Sequence, residues 1–503
     1  MVQGGILGAN GIETIRTIEN RREHYGNLTQ LLGLRSPSHF LDVLRSVDPS
    51  HPTDEDLESR LKETKGRRFD FIGGGITGTT SAYVAAELSR RFGLDWDMHV
   101  WDRAEYVGLG STADSAARTR TSMFGSLEEI RGNLATSLFT ENLGKILADG
   151  YHELGKTINP DEIFTGLDRC GYLWLFENGN GVRNLEENQR LLASVGLPTF
   201  LLDSEEVANI FLPSVNRNAF RIGYFCSTDA HVEPTSITNN LCMYGMNAGV
   251  KFHFQHEIDE IRVDSGRNIS FRSRYIGNVK TETQEGEHYT YYLAITTGAR
   301  SKRLGTYFVI NGETSPLDVQ LTPRLRQLTH VDGFSEDELR EYDPFTIFMG
   351  KGAYWSRESR NSSQLIFGFA RPDDPEVNSD RVHNPGHGSD DYFLERILLE
   401  GGLAELCNQF HPETSEMQII NHPGNLYGET ADGNYLVGLL RKPNDVRPNG
   451  VVGINAGDNG HGIMASLGTA VHLIYRLTGV TARESRLWDP NRNMVSEGGT
   501  VRL

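Results

Sequence analysis

The residues best placed to do chemistry are six in a row, Gly73-Gly74-Gly75-Ile76-Thr77-Gly78, between an apolar run at 68–72 and a stretch rich in Ala, Leu and Glu. The pattern predicts a strand, a tight turn and a helix over 79–91, the context in which GxGxxG cradles phosphate. Gly73 permits the turn, Gly75 lets a pyrophosphate approach the backbone, and Gly78 lets the helix pack closely on the strand. Phosphate charge would then meet the free N–H groups and positive dipole end of that helix. A second apolar run, Met98 to Trp101, predicts the neighbouring strand. It ends at Asp102, 24 residues beyond Gly78, near where an acid that binds a ribose belongs.

Two further stretches fit a long cofactor. Arg103 to Ser115 is a loop of small and hydroxyl residues, Gly110, Ser111 and Thr112 among them, leading to Arg118 and Arg120. Such a loop offers close approach and side-chain donors to a molecule it wraps. Far along the chain a strand at 451–456 runs into Gly457-Asp458-Asn459-Gly460-His461-Gly462 and a helix at 463–477. This second glycine-rich junction places a redox ring near it and the pyrophosphate on the first. Between them, an apolar strand at 289–297 ends in Thr297-Gly298-Ala299-Arg300, which can also lie against a cofactor.

The remaining elements must position these junctions. Helical periodicity at 12–22 and 38–47, and Thr53 as N-cap of a helix at 54–65, predict an N-terminal helical extension over 1–66. It is expected to brace the body, with docking of a partner as the alternative. Helices are expected at 126–157, 185–195 and 234–247, the last opened by Pro234, and strands at 171–176, 223–225, 250–254 and 257–263. From 303 to about 418 the chain turns strand-like and aromatic (Phe345-Thr346-Ile347-Phe348, Ala353-Tyr354-Trp355), closing with a helix at 392–410. The fold class expected is therefore α/β, a Rossmann-like nucleotide domain interleaved with a mainly antiparallel substrate domain. The nucleotide domain is assigned to 67–125, 220–302 and 420–480, the substrate domain to 126–219 and 303–419, and a tail to 481–503.

The chain of 503 residues exceeds one ordinary core, and its formal charge of −18 argues against nucleic acid or an anionic membrane as main partner. Four cysteines, Cys170, Cys226, Cys242 and Cys407, stand far apart with no disulfide or metal spacing, so no metal is expected. No stretch reaches the length of a membrane span and the N-terminus has no signal-like apolar region, so a cytoplasmic protein is expected.

Taken together, Gly73 to Gly78, Asp102, Gly110-Ser111-Thr112, Asp229-x-His231-Val232-x-Pro234, Thr297-Gly298-Ala299, 323–327, Thr430-x-Asp432-Gly433 and Gly457 to Gly462 resemble the FAD-dependent amine oxidases of the D-amino-acid oxidase superfamily. The glycine oxidase and sarcosine oxidase branch is the most similar, over roughly 67–479. The resemblance implies FAD held by Gly73, Gly75, Ile76, Thr77, Gly78, Asp102, Arg103, Gly110, Ser111, Thr112 and Ile258. It extends the cofactor site to Thr297, Gly298, Gly457, Asn459, Gly460, His461, Gly462 and Ile463. A cysteine that carries flavin covalently in some sarcosine oxidases has no counterpart at Gly424-Asn425-Leu426-Tyr427, so non-covalent FAD is expected. His461 and Asp458 stand where small residues would be ordinary.

An amino-acid substrate calls for an arginine fork on its carboxylate. The resemblance places it on a substrate-domain strand after a tyrosine, and Tyr354-Trp355-Ser356-Arg357 matches best, with Arg360, Arg371 and Arg326 as rivals. Arg357 and Tyr354 are thus the expected catalytic pair. The activity implied is oxidation of a small or N-substituted amino acid by hydride transfer to flavin N5, imine hydrolysis and reoxidation by O2 to hydrogen peroxide. The alternatives are an amine dehydrogenase with another acceptor and a non-catalytic flavin-binding partner protein. The oligomeric state is open.

Overall fold

The computed structural model describes residues 9–121, 126–177, 182–263, 269–277, 285–310, 312–314, 317, 319–336, 339, 344–349, 351–359, 362–369, 376, 397, 399–400, 402–406, 418–421, 423–440, 452–457, 459–480 and 488–491. Its organising layer is a six-stranded sheet in the order Leu436–Leu439, Val452–Ala456, Tyr292–Ile295, Arg68–Ile72, Asp97–Trp101, Lys251–His253. The pairs on either side of Arg68–Ile72 are parallel, and only Leu436–Leu439 runs against its neighbour. Arg68–Ile72 reads Arg-Phe-Asp-Phe-Ile and is buried after its first residue, as a strand covered on both faces requires. Ile72 is in register with both Trp101 and Ile295, so three strands end together at the glycine turn. Helices Ile76–Arg91 and Gly462–Thr478, each beginning just after a strand, pack against one another over this sheet.

The substrate-side layer is a nine-stranded sheet whose main path is Gln418–Asn421, Thr322–Asp332, Leu365–Phe369, Ala353–Arg357, Phe345–Met349, Tyr172–Phe176, Ile222–Cys226, Thr199–Asp203, with Gly424–Glu429 paired to Thr322–Asp332. All its pairings are antiparallel except that of Phe345–Met349 with Tyr172–Phe176. Alternation splits its side chains between two cores. Tyr172, Trp174, Phe345, Ile347 and Tyr354 join the core of the nucleotide-side helices, whereas Leu173, Leu175, Phe348, Ala353 and Trp355 join a separate cluster on the other face. A third sheet, five-stranded, carries His256–Val263 and Ile269–Tyr275.

The two layers exchange more chain than the expected boundaries allow. Ile222–Cys226 and Gly424–Glu429, assigned to the nucleotide domain, pair in the large sheet. Helix Leu127–Glu141, assigned to the substrate domain, packs on Gly462–Thr478. The helix expected at 126–157 breaks at Asn142 into Leu127–Glu141 and Leu143–Glu153. Of the helix expected at 392–410, Leu403–Leu406 is described, and much of the remainder lies outside the described residues.

The N-terminal extension is helical, but the helix expected at 12–22 is two, Ala9–Arg16 and Ile18–Tyr25, because Thr17 turns extended and caps the second through Asn20 N–H. Thr53 caps Asp54–Leu61 in a reciprocal box with Asp56. Phe40, Leu41, Val43, Leu57 and Leu61 are buried in the same core as Phe69 and Tyr83. Arg22 grips Asp168 with both arms at 2.7 and 2.6 Å, and Glu141 accepts the N–H groups of Leu28 and Thr29. The extension is thus continuous with the core. Leu57→Ala should therefore cost about 2–5 kcal/mol and lower the melting temperature, with unchanged kinetics in the folded fraction. An unchanged melting temperature, with an altered oligomeric state, would instead favour docking of a partner.

Candidate active site

At the carboxyl ends of the parallel strands lies a cavity of about 450 Å³. Its near wall is the glycine turn: Gly73, Gly75, Ile76 and Thr77 line it, with Gly75 as N-cap of Ile76–Arg91. Gly78 sits behind them. A Cβ there would stand 1.8 Å from Gly73 O and 2.6 Å from Thr296 Oγ1, so the turn and helix can meet only if this residue is glycine. Gly73 itself has φ +113°, in the region L side chains avoid.

Asp102 and Arg103 line the cavity from the next strand end. One Asp102 oxygen accepts Gly74 N–H and the other Ala104 N–H at 2.7 Å. Burial pushes its carboxyl above the usual range, against the pull of those two donors and of Arg300 and Arg103. The loop residues Gly110, Ser111 and Thr112 complete this end. Thr112 Oγ1 accepts Ile76 N–H at 3.1 Å, and Ser111 Oγ donates to Leu426 O at 2.7 Å. Ile258, Thr297 and Gly298 line the side, and Gly460, Gly462 and Ile463 the far end.

Three further expected cofactor residues stand outside this lining. Gly457 has φ +67°, and a Cβ there would meet Thr430 and Leu321 side chains. Asn459 works as a staple: its Oδ1 accepts Thr430 N–H at 2.8 Å while its Nδ2 donates to Gly457 O at 2.7 Å. His461, at the head of Gly462–Thr478, is buried, and that burial, with the Arg120 charge, holds it well below its ordinary pKa. Asp458 lies outside the described residues. Residues missed by the sequence reading include Trp101, His256, Arg303, Leu426 and Tyr427, which also line the cavity.

Arg357 is not brought to this cavity. A separation of three along a strand sends two side chains to opposite faces, so Tyr354 and Arg357 cannot face one ligand together. Tyr354 lies on the nucleotide-facing side, stacked at 5.5 Å on Phe345, without lining the cavity. Arg357 shares the other face with Trp355. Its fork is bidentate on Glu336 at 3.1 and 3.0 Å, and its Nε donates to Ser362 O at 2.8 Å. Of the rivals, Arg326 is paired with Glu429, and Arg360 and Arg371 lie outside the described residues. Alternation along Ala353–Arg357 was the signal that separates the pair.

The model of the FAD dependent oxidoreductase family matches residues 72–476, most of the chain. The chain belongs to that family. Among curated proteins no sequence match was found. Solved structures share its fold at low identity. Glycine oxidase from Geobacillus kaustophilus is 16% identical with a TM-score of 0.64, covering 85% of this chain and 100% of that one. L-proline dehydrogenase from P. horikoshii is 18% identical with a TM-score of 0.60, covering 85% and 97%. Fructosyl peptide oxidase from E. terrenum is 16% identical with a TM-score of 0.59, covering 86% and 93%.

The cofactor of the family is FAD, and the residues present fit it. The cavity reaches from Trp101 and Asp102, past a cradle of glycines that side chains would fill, to Gly460 and Ile463. Gly75→Val should abolish FAD retention by narrowing the cradle. Asp102→Ala should weaken it and strand two backbone donors, at about 1–3 kcal/mol each. The ratio of flavin to protein absorbance checks both, and full occupancy in both variants would place the nucleotide elsewhere.

Trp101 is enclosed by histidines. His253 stacks on it at 3.9 Å and His288 lies tilted against it at 4.4 Å, while His99 Nδ1 meets His253 Nε2 at 2.9 Å. Burial first, then the charges of His99, His256 and His288, lower His253 from 6.5 to about 4, with Asp70 opposing. His99 and His288 are lowered too. The folded state therefore favours neutral rings, and unfolding takes up protons below pH 6.5. That stability is present above pH 6.5 and is lost as the pH falls towards about 4. The melting temperature should decline across this window, and His253→Gln should flatten the decline.

Proposed function

We propose that this FAD-dependent oxidoreductase oxidises the C–N bond of a small or N-substituted amino acid. The observation that carries the reading is that Leu426 and Tyr427, from a strand of the large sheet, line the same cavity as the glycine turn. A substrate held by that sheet would therefore lie beside the redox end of the cofactor. When bound, FAD would supply a hydride acceptor for the carbon beside nitrogen, with dioxygen and two protons as the terminal acceptor that gives hydrogen peroxide. The product imine is hydrolysed by water.

The chain's own residues orient and shield. The glycine turn and the helix behind it would hold the pyrophosphate, Asp102 fixes the turn, and Leu426 and Tyr427 would exclude water. His461, held neutral, adds no charge at the far end. The cofactor is non-covalent in this reading, since 424–427 offers no cysteine. The substrate is a small molecule, as it is for the glycine oxidase whose fold this chain shares.

Glycine, sarcosine or a bulkier N-alkylglycine should bleach the flavin without oxygen and yield hydrogen peroxide with it. Bleaching with no peroxide in air would assign a dehydrogenase, and no bleaching by any amine would sink the catalytic reading. Arg357→Ala should change kcat/KM by less than about threefold, because Arg357 does not line the cavity and its fork is already taken by the exposed Glu336. A larger loss with the stability intact would return Arg357 to the substrate.

A further inference from the structure

We propose that this chain pairs with a second copy of itself through the outward face of helix Pro234–Asn247, the two helices running antiparallel across a two-fold axis.

Large apolar side chains are concentrated on that face. Asn239, Met243 and Met246, at i, i+4 and i+7, form its exposed stripe, with Met243 56% and Met246 41% exposed. Phe164, 63% exposed, stands alongside, because Asn240 Nδ2 donates to Phe164 O at 3.0 Å and Glu233 N–H to Thr165 O at 2.7 Å. The loop that carries exposed Tyr106 and Leu109 is the third part: a Cβ at Gly108 between them would stand 3.4 Å from Thr238 of the same helix. Five of the nine large hydrophobic side chains exposed among the described residues thus lie on or beside one helix, whereas single scattered ones would need no account. Leu109 also lines the cavity, so the second copy would cover the outer side of the loop that wraps it.

Charge decides the occupant. In a chain of which 23% of residues are charged, Pro234–Asn247 has no charged residue at all. Two copies, each of formal charge −18, repel over most of their surfaces, so self-association needs a face where like meets like without charge. The two ends of this helix are complementary to one another. Glu233 caps its N-terminal end, and at its C-terminal end Lys156 Nζ donates to Asn247 Oδ1. An antiparallel pair brings the Glu233 end of each copy beside the Lys156 end of the other, and a parallel pair would set like against like. A nucleic acid or an anionic membrane would gain nothing from a neutral helix on an acidic chain.

Sedimentation velocity of the full chain, up to about 100 μM, tests the face, since a two-fold contact of ordinary size associates well below that concentration. The parent should sediment as a dimer. Met243→Asp, which places a charge on the apolar stripe of both copies, should raise the dissociation constant about 100-fold or more and leave a folded monomer with unchanged far-UV circular dichroism. Lys156→Glu, outside the stripe, should raise it at least about threefold, and less so at high salt. Leu399→Asp, at an exposed hydrophobe on a different element, should leave the dimer intact. A monomeric parent would overturn the proposal, including one that floats with neutral lipid vesicles. So would a dimer that survives Met243→Asp, one that is lost in Leu399→Asp, or one as tight in Lys156→Glu as in the parent.

Discussion

The structure depends on one close approach of backbone to backbone. At Gly78 the first turn of Ile76–Arg91 presses on Gly73 O, and at Gly73 the turn presses on Thr296 O, with no room at either for a Cβ. Because the helix can come this near, its N-terminus points into the cavity and its flank receives Gly462–Thr478. Thr296 Oγ1 donates to the carbonyls of Ile72 and Gly73, which locks the third strand end to the same point. The cavity is therefore a consequence of packing: three strands end in register, and the glycines keep the space between them clear.

What was legible in the sequence follows from how local its causes are. Strand, turn and helix at 68–91 are encoded by neighbours, so the glycine turn, Asp102 and the loop at 110–112 were all readable, as was Thr53 as a cap. Pairing between distant strands is not local. Ile222–Cys226 could not be assigned to the large sheet from its own residues, since an apolar run of five fits either layer. The break at Thr17 is a competition between capping and helix continuation, which periodicity does not resolve.

On the substrate side, Arg357 and Tyr354 are not brought to the cavity, and the reason is different. Strand parity is a stricter constraint than motif position, because successive side chains must alternate across a pleated sheet. Tyr354 and Ser356 face the nucleotide layer, and Trp355 and Arg357 face the second core. Once the faces are separated, an arginine that ion-pairs with an exposed Glu336 is distinguishable from one that lies on aromatic rings with no acid paired to it among the described residues.

The distribution of charge supports the same division. The chain carries a formal charge of −18, which speaks to its surface as a whole. Its cavity is different: Arg103, Arg300 and Arg303 line it beside Asp102, Asp114 and Glu257. Arg118 and Arg120 lie over aromatic rings of the large sheet. An acidic exterior repels nonspecific polyanions, while low-dielectric walls strengthen the field of a few buried cations over a short range. A small anionic ligand would therefore gain most of its attraction only after it has entered. The attraction of the cavity for any one ligand is therefore set by these local charges and not by the net charge of the chain.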